Sequence, residues 1–165
     1  MFSNKGSLDK KLKRLAEYAF VKCYNKKGVF LSNNKKGVAL IYRSDIHQFS
    51  LRETLYQLKF VLLSIDKTKL KDILFRESYR NKIRPHNTPY YYFWFLGILK
   101  GGEKAAFEFH KEILNMADKE KLPIYLETTV ERNKIIYEKM GFTTYHFWRD
   151  EQKEIQFWFM KRKPI

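Results

Sequence analysis

Three short patterns in the second half of the chain carry residue types with chemical uses. The first is Gly101-Gly102, set between an apolar run and a helical one. A strand, then glycine, then a helix N-terminus turns backbone N–H groups outward, lets an anion come close and adds the helix dipole. The spacing is neither G-x-G-x-x-G nor a Walker A loop, so dinucleotide and nucleotide-triphosphatase readings have no support. The second is the block 122–142, LPIYLETTVERNKIIYEKMGF. It places the carboxylate of Glu127, the amide of Asn133 and the phenol of Tyr137 around a strand-to-helix turn. Glu127 can take a proton through water or help to cap the next helix. Tyr137 shares a helical face with Val130, Ile136 and Met140, so it is either a catalytic group or a core ring. His86 and His146 are further candidate bases. The third pattern is the aromatic run Tyr90–Phe95, which could stack on bases if exposed; as a central strand it belongs to the core.

Other chemistries lack residues. Cys23 is the single cysteine, which excludes an internal disulfide and a multi-cysteine metal site; it reads as a small buried hydrophobe. His47, His86, His110 and His146 never fall at a ligand-like i, i+4 spacing, so no metal is expected. The longest apolar run, Tyr90 to Leu99, is too short for a membrane span, and the N-terminus has no apolar stretch of a secretory signal. The expectation is a cytoplasmic protein with no membrane partner. Its 165 residues suit one domain, 1–165.

The formal net charge is +15, from 33 Lys and Arg against 18 acids. Residues 1–50 hold 11 basic residues against 3 acids, and residues 51–100 hold 10 against 4. A basic field of this kind attracts polyanions, although dispersed lysines also serve solubility alone. An acidic acceptor would suit it.

The elements that must position these residues follow from periodicity. Leu8–Tyr24 reads as a helix behind an N-cap at Ser7, its stripe being Leu8, Leu12, Leu15, Ala16, Ala19 and Phe20. Gly28–Ser32 and Val38–Arg43 form a hairpin around Asn33–Gly37. Ser50–Ile65 is helical by the period of Leu51, Leu55, Leu58, Leu62 and Ile65, and Thr68–Tyr79 is a second, weaker helix. Tyr90–Leu99 is a continuous apolar run, as in a strand buried on both faces. Glu103–Lys121 is a helix with Ala106, Phe109, Ile113, Met116 and Ala117 in register. Pro123–Thr128 is a strand, and Thr128 to Glu131 matches a capping box. Helix Val130–Met140 stops at Gly141. Phe142–Arg149 and Glu154–Lys161 pair around residues 150–153. The β-helix-β segment from Tyr90 to Thr128 implies a parallel pair, so the sheet is mixed.

From Tyr90 to Lys161 the chain resembles the GNAT superfamily of acetyl-CoA-dependent N-acyltransferases. The likeness rests on Glu127 near a strand end, Asn133 at a helix start and the close Tyr137-Glu138-Lys139-Met140-Gly141-Phe142. It implies an α/β (α+β) fold: a mixed, mostly antiparallel sheet of about six strands with helices on both faces, and a helical insertion at about 45–85. It implies transfer of an acetyl group from acetyl-CoA, without a metal, to a small-molecule or peptide amine by direct attack. The backbone of Leu96, Gly97 and Ile98 would pair with the pantetheine arm. Gly101, Gly102, Lys104 and Ala105 would bind the pyrophosphate, Asn133 would touch the cofactor arm, and Tyr137 would protonate the leaving thiolate. The Gly101-Gly102 turn is shorter than the family's phosphate loop, and the family's opening strand is missing ahead of Leu8. A catalytically degenerate member, or a basic nucleic-acid- or polyanion-binding module, are the alternatives; no recognised nucleic-acid motif favours the latter. The Gly28–Ser32 strand is expected at a sheet edge guarded by Lys26, Lys27, Lys35 and Lys36, and a monomer is preferred to a homodimer.

Overall fold

The structure, a computed structural model, describes residues 5–150 and 154–165. The turn expected at residues 150–153 therefore lies mostly outside the described residues. The chain divides into two compact units, one running up to Lys27 and from His47 to Asn87, the other comprising Gly28–Ile46 and Thr88–Ile165.

The first unit is helical: α1 (Lys5–Asn25), α2 (Leu51–Ser64), a short 3₁₀ turn at Lys67–Lys69, and α3 (Leu70–Ile83). Among the described residues no helix is long and apolar enough to cross a membrane. Helix α1 begins before Ser7, so Ser7 is a helical residue and not the cap. Ser50 does cap α2: its hydroxyl accepts from the Glu53 backbone N–H at 3.2 Å, satisfying one of the orphan donors of the first turn. Tyr18 of α1 stacks on Phe60 of α2 with ring centroids 6.2 Å apart. The stripes expected to be buried are only partly so. Leu8, Leu12 and Phe20 of α1 are exposed while Ala19, Val21 and Cys23 are buried, and Leu51, Leu55, Leu58 and Leu62 of α2 are all exposed. The face of α2 that is covered carries Glu53, Tyr56, Phe60 and Ser64, at the same period but a different phase.

The second unit is built on a six-stranded sheet in the order β1-β2-β3-β4-β6-β5. Its strands are β1 (Val29–Leu31), β2 (Gly37–Arg43), β3 (Tyr91–Ile98), β4 (Ile124–Thr128), β5 (Thr143–Asp150) and β6 (Ile155–Arg162). Only the β3–β4 pair is parallel; the others are antiparallel. The mixed, mostly antiparallel sheet thus follows the sequence reading, and β1 lies at one edge of it.

Helices α4 (Glu103–Lys119) and α5 (Glu131–Lys139) follow β3 and β4. Ala105, Phe109, Ile113 and Ala117 form one buried stripe of α4, packed with Ala39, Ile41, Tyr91, Ile124, Leu126 and Met160 of the sheet. The side chain of Ala106, expected in that stripe, lies beside it instead. At the far end of α4, Asp118 accepts two hydrogen bonds from the buried Arg162 guanidinium of β6, at 2.7 and 2.8 Å. Helix α5 closes at Gly141, whose φ of +85° suits glycine, and Phe142 N–H returns to the Tyr137 carbonyl at 3.0 Å. The expected capping box does not form. Val130 is the N-cap of α5 and offers no side-chain bond, while the Thr128 hydroxyl accepts from the Val130 N–H at 3.2 Å. Thr128 therefore ends β4 in a local turn, one step before the helix.

Candidate functional site

Strand β3 is not a strand buried on both faces throughout. Its first residues, Tyr91 and Tyr92, are buried, but its last, Leu96, Gly97 and Ile98, are exposed. The reason lies in its two neighbours. β3 pairs with β2 from Tyr91 to Ile98, but with β4 only at Tyr91↔Ile124 and Tyr92↔Tyr125. Beyond Tyr92 the parallel strands part, β4 stays with β6, and the edge of β3 turned toward β4 has no ladder partner among the described residues.

A β-bulge sits where the strands part. Leu40 lies opposite Phe95 and Ile41 opposite Phe93, so Trp94 is an extra residue on β3. The extra residue changes the phase of the strand. Phe93 and Leu96 lie opposite Ile41 and Ala39, on the core face that α4 and α5 cover. Phe95 lies opposite Leu40 and so faces the other way, as does Trp94, which meets Tyr42 edge-on at 6.0 Å and Phe95 at 5.2 Å. In β4, Ile124 and Leu126 point into the core, so Tyr125 between them and Glu127 after them point to the second face.

The gap holds a cavity of about 630 Å³, within the usual range for small-molecule sites. Trp94, Phe95, Leu96 and Ile98 line it from β3, and Glu127 and Thr128 from β4. Ala106, Phe107 and His110 line it from α4; Asn133, Ile136, Tyr137 and Met140 line it from α5, at i, i+3, i+4 and i+7 of one helix face. The lining includes residues of both sheet faces, so the cavity runs through the wedge between β3 and β4.

Five of the residues singled out from sequence meet here: Leu96, Ile98, Glu127, Asn133 and Tyr137. Tyr137 is half-buried between Phe93 at 6.5 Å and Phe142 at 5.7 Å, and desolvation pushes its phenol pKa up, keeping the hydroxyl protonated. Gly97 lies in the same strand opposite Val38.

Gly101, Gly102, Lys104 and Ala105 are grouped at the start of α4 rather than in the cavity wall. Gly101 takes φ +76°, and a Cβ there would come 3.1 Å from Lys36 Nζ. A Cβ on Gly102 would meet the Leu99 carbonyl oxygen at 2.9 Å, so local packing alone requires that glycine. The Gly102 N–H donates to Leu99 at 2.9 Å, and the Ala105 N–H to Gly102 at 2.8 Å. Lys36, from the hairpin, is brought against Gly101 and Gly102 at this helix start, a placement that the sequence does not show.

His146 lies on β5 opposite Phe159, which in turn lies opposite Glu127, so one strand separates the two. His86 belongs to the helical unit, beside Glu77 and Asn81. His110 was not a candidate, yet it lines the cavity; burial and then Arg162 lower its pKa, so it is neutral at neutral pH. Its one sequence signal is the i, i+4 spacing from Ala106, beside the buried stripe of α4.

No family model matches the sequence, and no curated protein matches it. Solved structures do. The C-terminal condensation domain of Ebony, in complex with beta-alanyl-dopamine, superposes with a TM-score of 0.65 at 13% identity, over 98% of this chain and 88% of that one. Arylalkylamine N-acetyltransferase 2 of Aedes aegypti gives 0.60 at 14%, over 90% and 79%. A structure described as histone acetyltransferase and related acetyltransferase of Corynebacterium glutamicum gives 0.57 at 18%, over 94% and 75%. The chain has the fold of the GNAT N-acetyltransferases.

Proposed function

We propose that the protein is an acyltransferase that moves an acetyl group from acetyl-CoA to an amine by direct attack. The observation that carries the reading is the cavity running through the sheet at the parting of β3 and β4. A wedge of this kind lets two reactants enter from opposite faces and meet inside.

The groups on the core face suit the cofactor. The free edge of β3 at Leu96, Gly97 and Ile98 can pair with the amides of an extended pantetheine arm, as an added strand would. The start of α4, at Gly101, Gly102, Lys104 and Ala105 with Lys36 beside it, offers a dipole and cations to a pyrophosphate. Asn133 offers an amide to the same arm. When bound, acetyl-CoA supplies the thioester carbonyl that the amine nitrogen attacks as the C–S bond breaks.

The chain's own residues move the protons. Glu127, on the second face, takes the proton that the amine must lose, since amines with pKa near 10.4 are charged at neutral pH. Tyr137 gives its hydroxyl proton to the departing sulfur and regains one from solvent. In this reading 1–165 is one GNAT-like domain with a helical insertion at about 45–85, acting as a monomer in the cytoplasm.

One observation favours a second reading, a binding protein without turnover: Gly101 and Gly102 are accounted for by packing against Lys36 and Leu99. Calorimetry with acetyl-CoA, followed by thiol release in the presence of amines, separates the two. Binding with turnover supports the transferase; binding without turnover supports the second reading; no binding at millimolar cofactor removes both.

A further inference from the structure

The cavity between β3 and β4 has a recess of its own. Leu96, Ala106, His110 and Met140, which line the cavity, also line a second, smaller space of about 20 Å³. Phe93 and Ile124 bound it from the sheet, and Phe109, Ile113 and Leu114 bound it from α4, with Phe142 after α5. Phe109, Ile113, Ile124 and Phe142 belong to the buried core, so the recess lies on the core face. Among the described residues, every side chain lining it is apolar except His110, whose lowered pKa leaves that ring neutral. An apolar space stays dry, and this one has room for about one or two carbons.

Its place relative to the free edge of β3 gives it a use. Helix α4 follows the C-terminal end of β3. A CoA whose pyrophosphate sits at Gly101–Ala105 therefore runs its arm back along β3, from Ile98 to Leu96. The thioester end then points toward the closed end of the wedge, where Ile124 still pairs with Tyr91. The recess lies at that end, on the face that also carries Tyr137. We infer that the donor site takes straight acyl chains longer than acetyl, namely propionyl and butyryl, whose added carbons fill the recess between Phe93, Ile124 and Phe142. This rests on the acyl-transfer reading and names the donor class of the same site. The bonds are those of acetyl transfer: the amine nitrogen joins the carbonyl carbon, the C–S bond breaks and the sulfur takes the Tyr137 proton. The added carbons do not react.

The lining sorts the competing chains. Acetyl leaves the recess empty and its wall atoms without partners. A chain of six carbons exceeds the space, and the packed core around it yields only at a cost. A succinyl chain would bury its carboxylate among apolar side chains, with no lysine or arginine among the described lining residues. Propionyl and butyryl fit both the volume and the polarity.

The test is calorimetry on the full chain with acetyl-, propionyl-, butyryl-, hexanoyl- and succinyl-CoA, which needs no amine. The expected result is affinity rising about fourfold per added CH₂ from acetyl to butyryl and dropping at hexanoyl. Succinyl-CoA, of the same chain length as butyryl, should bind more weakly than acetyl-CoA. Leu114→Phe, which fills the recess at a residue that does not line the main cavity, should bring the butyryl-to-acetyl affinity ratio to about one. If that variant does not fold, Ile113→Val enlarges the recess instead and should move the optimum to a longer chain. Butyryl-CoA binding no tighter than acetyl-CoA, or succinyl-CoA binding as tightly as butyryl-CoA, overturns the inference and leaves the transferase reading standing. If none of the thioesters binds, both fall.

Discussion

Tyr92 of β3 lies opposite Tyr125 of β4, and it is the last residue at which these two parallel strands hold together. Two residues further on, Trp94 enters β3 as an extra residue. The parting and the bulge together turn a strand that should be uniformly buried into the wall of a cavity. They also divide that wall between the Tyr137 side and the Glu127 side.

The first prediction concerns Tyr137. Replacement by Phe removes one hydroxyl from a half-buried ring and leaves its packing on Phe93 and Phe142 intact. Loss of a positioned proton donor lowers kcat by about 10²-fold or more, with acetyl-CoA affinity changed less than about twofold. Steady-state kinetics and calorimetry on the same preparation check it. Because burial raises the pKa of Tyr137 above that of a free phenol, any alkaline fall in kcat should lie above the range in which a free phenol titrates.

Gly28 makes a sharper test of the sheet. A Cβ there would lie 1.6 Å from the Ile41 carbonyl oxygen, and the Ile41 N–H donates to the Gly28 carbonyl at 2.8 Å. Backbone cannot yield as a side-chain tip can, so Gly28→Ala should destabilise by about 3 kcal/mol or more. Urea denaturation read at the tryptophans measures this; a change below about 0.5 kcal/mol would mean β1 is not held as described.

How much of this was legible beforehand depended on range. The β1–β2 hairpin, the Gly141 stop and the parallel β3–β4 pair follow from local turn chemistry and from a crossover helix of adequate length. Glu127, Asn133 and Tyr137 were legible because a strand end and one helix face bring them together. The bulge at Trp94 was not. In the run from Tyr90 to Phe95 every residue is apolar or aromatic, so there is no alternation for an extra residue to disturb. The period of α2 was legible but its covered face was not, because Leu51, Leu55, Leu58 and Leu62 offer a more apolar stripe than the one actually covered. Thr128 satisfies the spacing of a capping box, yet its hydroxyl is taken by Val130 two residues away.

Asp118 and Arg162 give an acid-sensitive link. The Arg162 guanidinium, with 5% of its surface exposed, holds the Asp118 carboxyl below its usual pKa of 3.8. A depressed carboxylate contributes stability above its unfolded pKa and loses it as pH falls through and below that value. Asp118→Asn should cost about 3 kcal/mol at pH 7, because the buried guanidinium loses its countercharge. The gap between variant and wild type should narrow toward pH 3 in urea titrations. A gap independent of pH would contradict the account.

At the alkaline end the sign reverses. Burial pushes the Cys23 thiol from 9.0 up to about 12, and the Tyr18 and Tyr91 phenols from 10.0 up to about 12. Groups raised in the folded state contribute fully below their unfolded pKa, and that contribution is lost as pH rises through the folded one. Stability should therefore be flat to pH 9 and then fall toward pH 12. Cys23→Ala should remove the part of the fall that begins near pH 9 and leave the part that begins near pH 10. Urea midpoints measured at pH 8, 9, 10 and 11 decide this.

The central claim is that the edge of β3 freed by its parting from β4 receives acetyl-CoA. Amide hydrogen exchange, followed residue by residue with and without acetyl-CoA, tests it most directly. The account predicts that the ligand slows exchange in the segment from Phe95 to Ile98 and at the start of α4 from Gly101 to Ala105, with β5 unchanged. Binding without protection of the β3 segment, or protection confined to the helical unit, would contradict it.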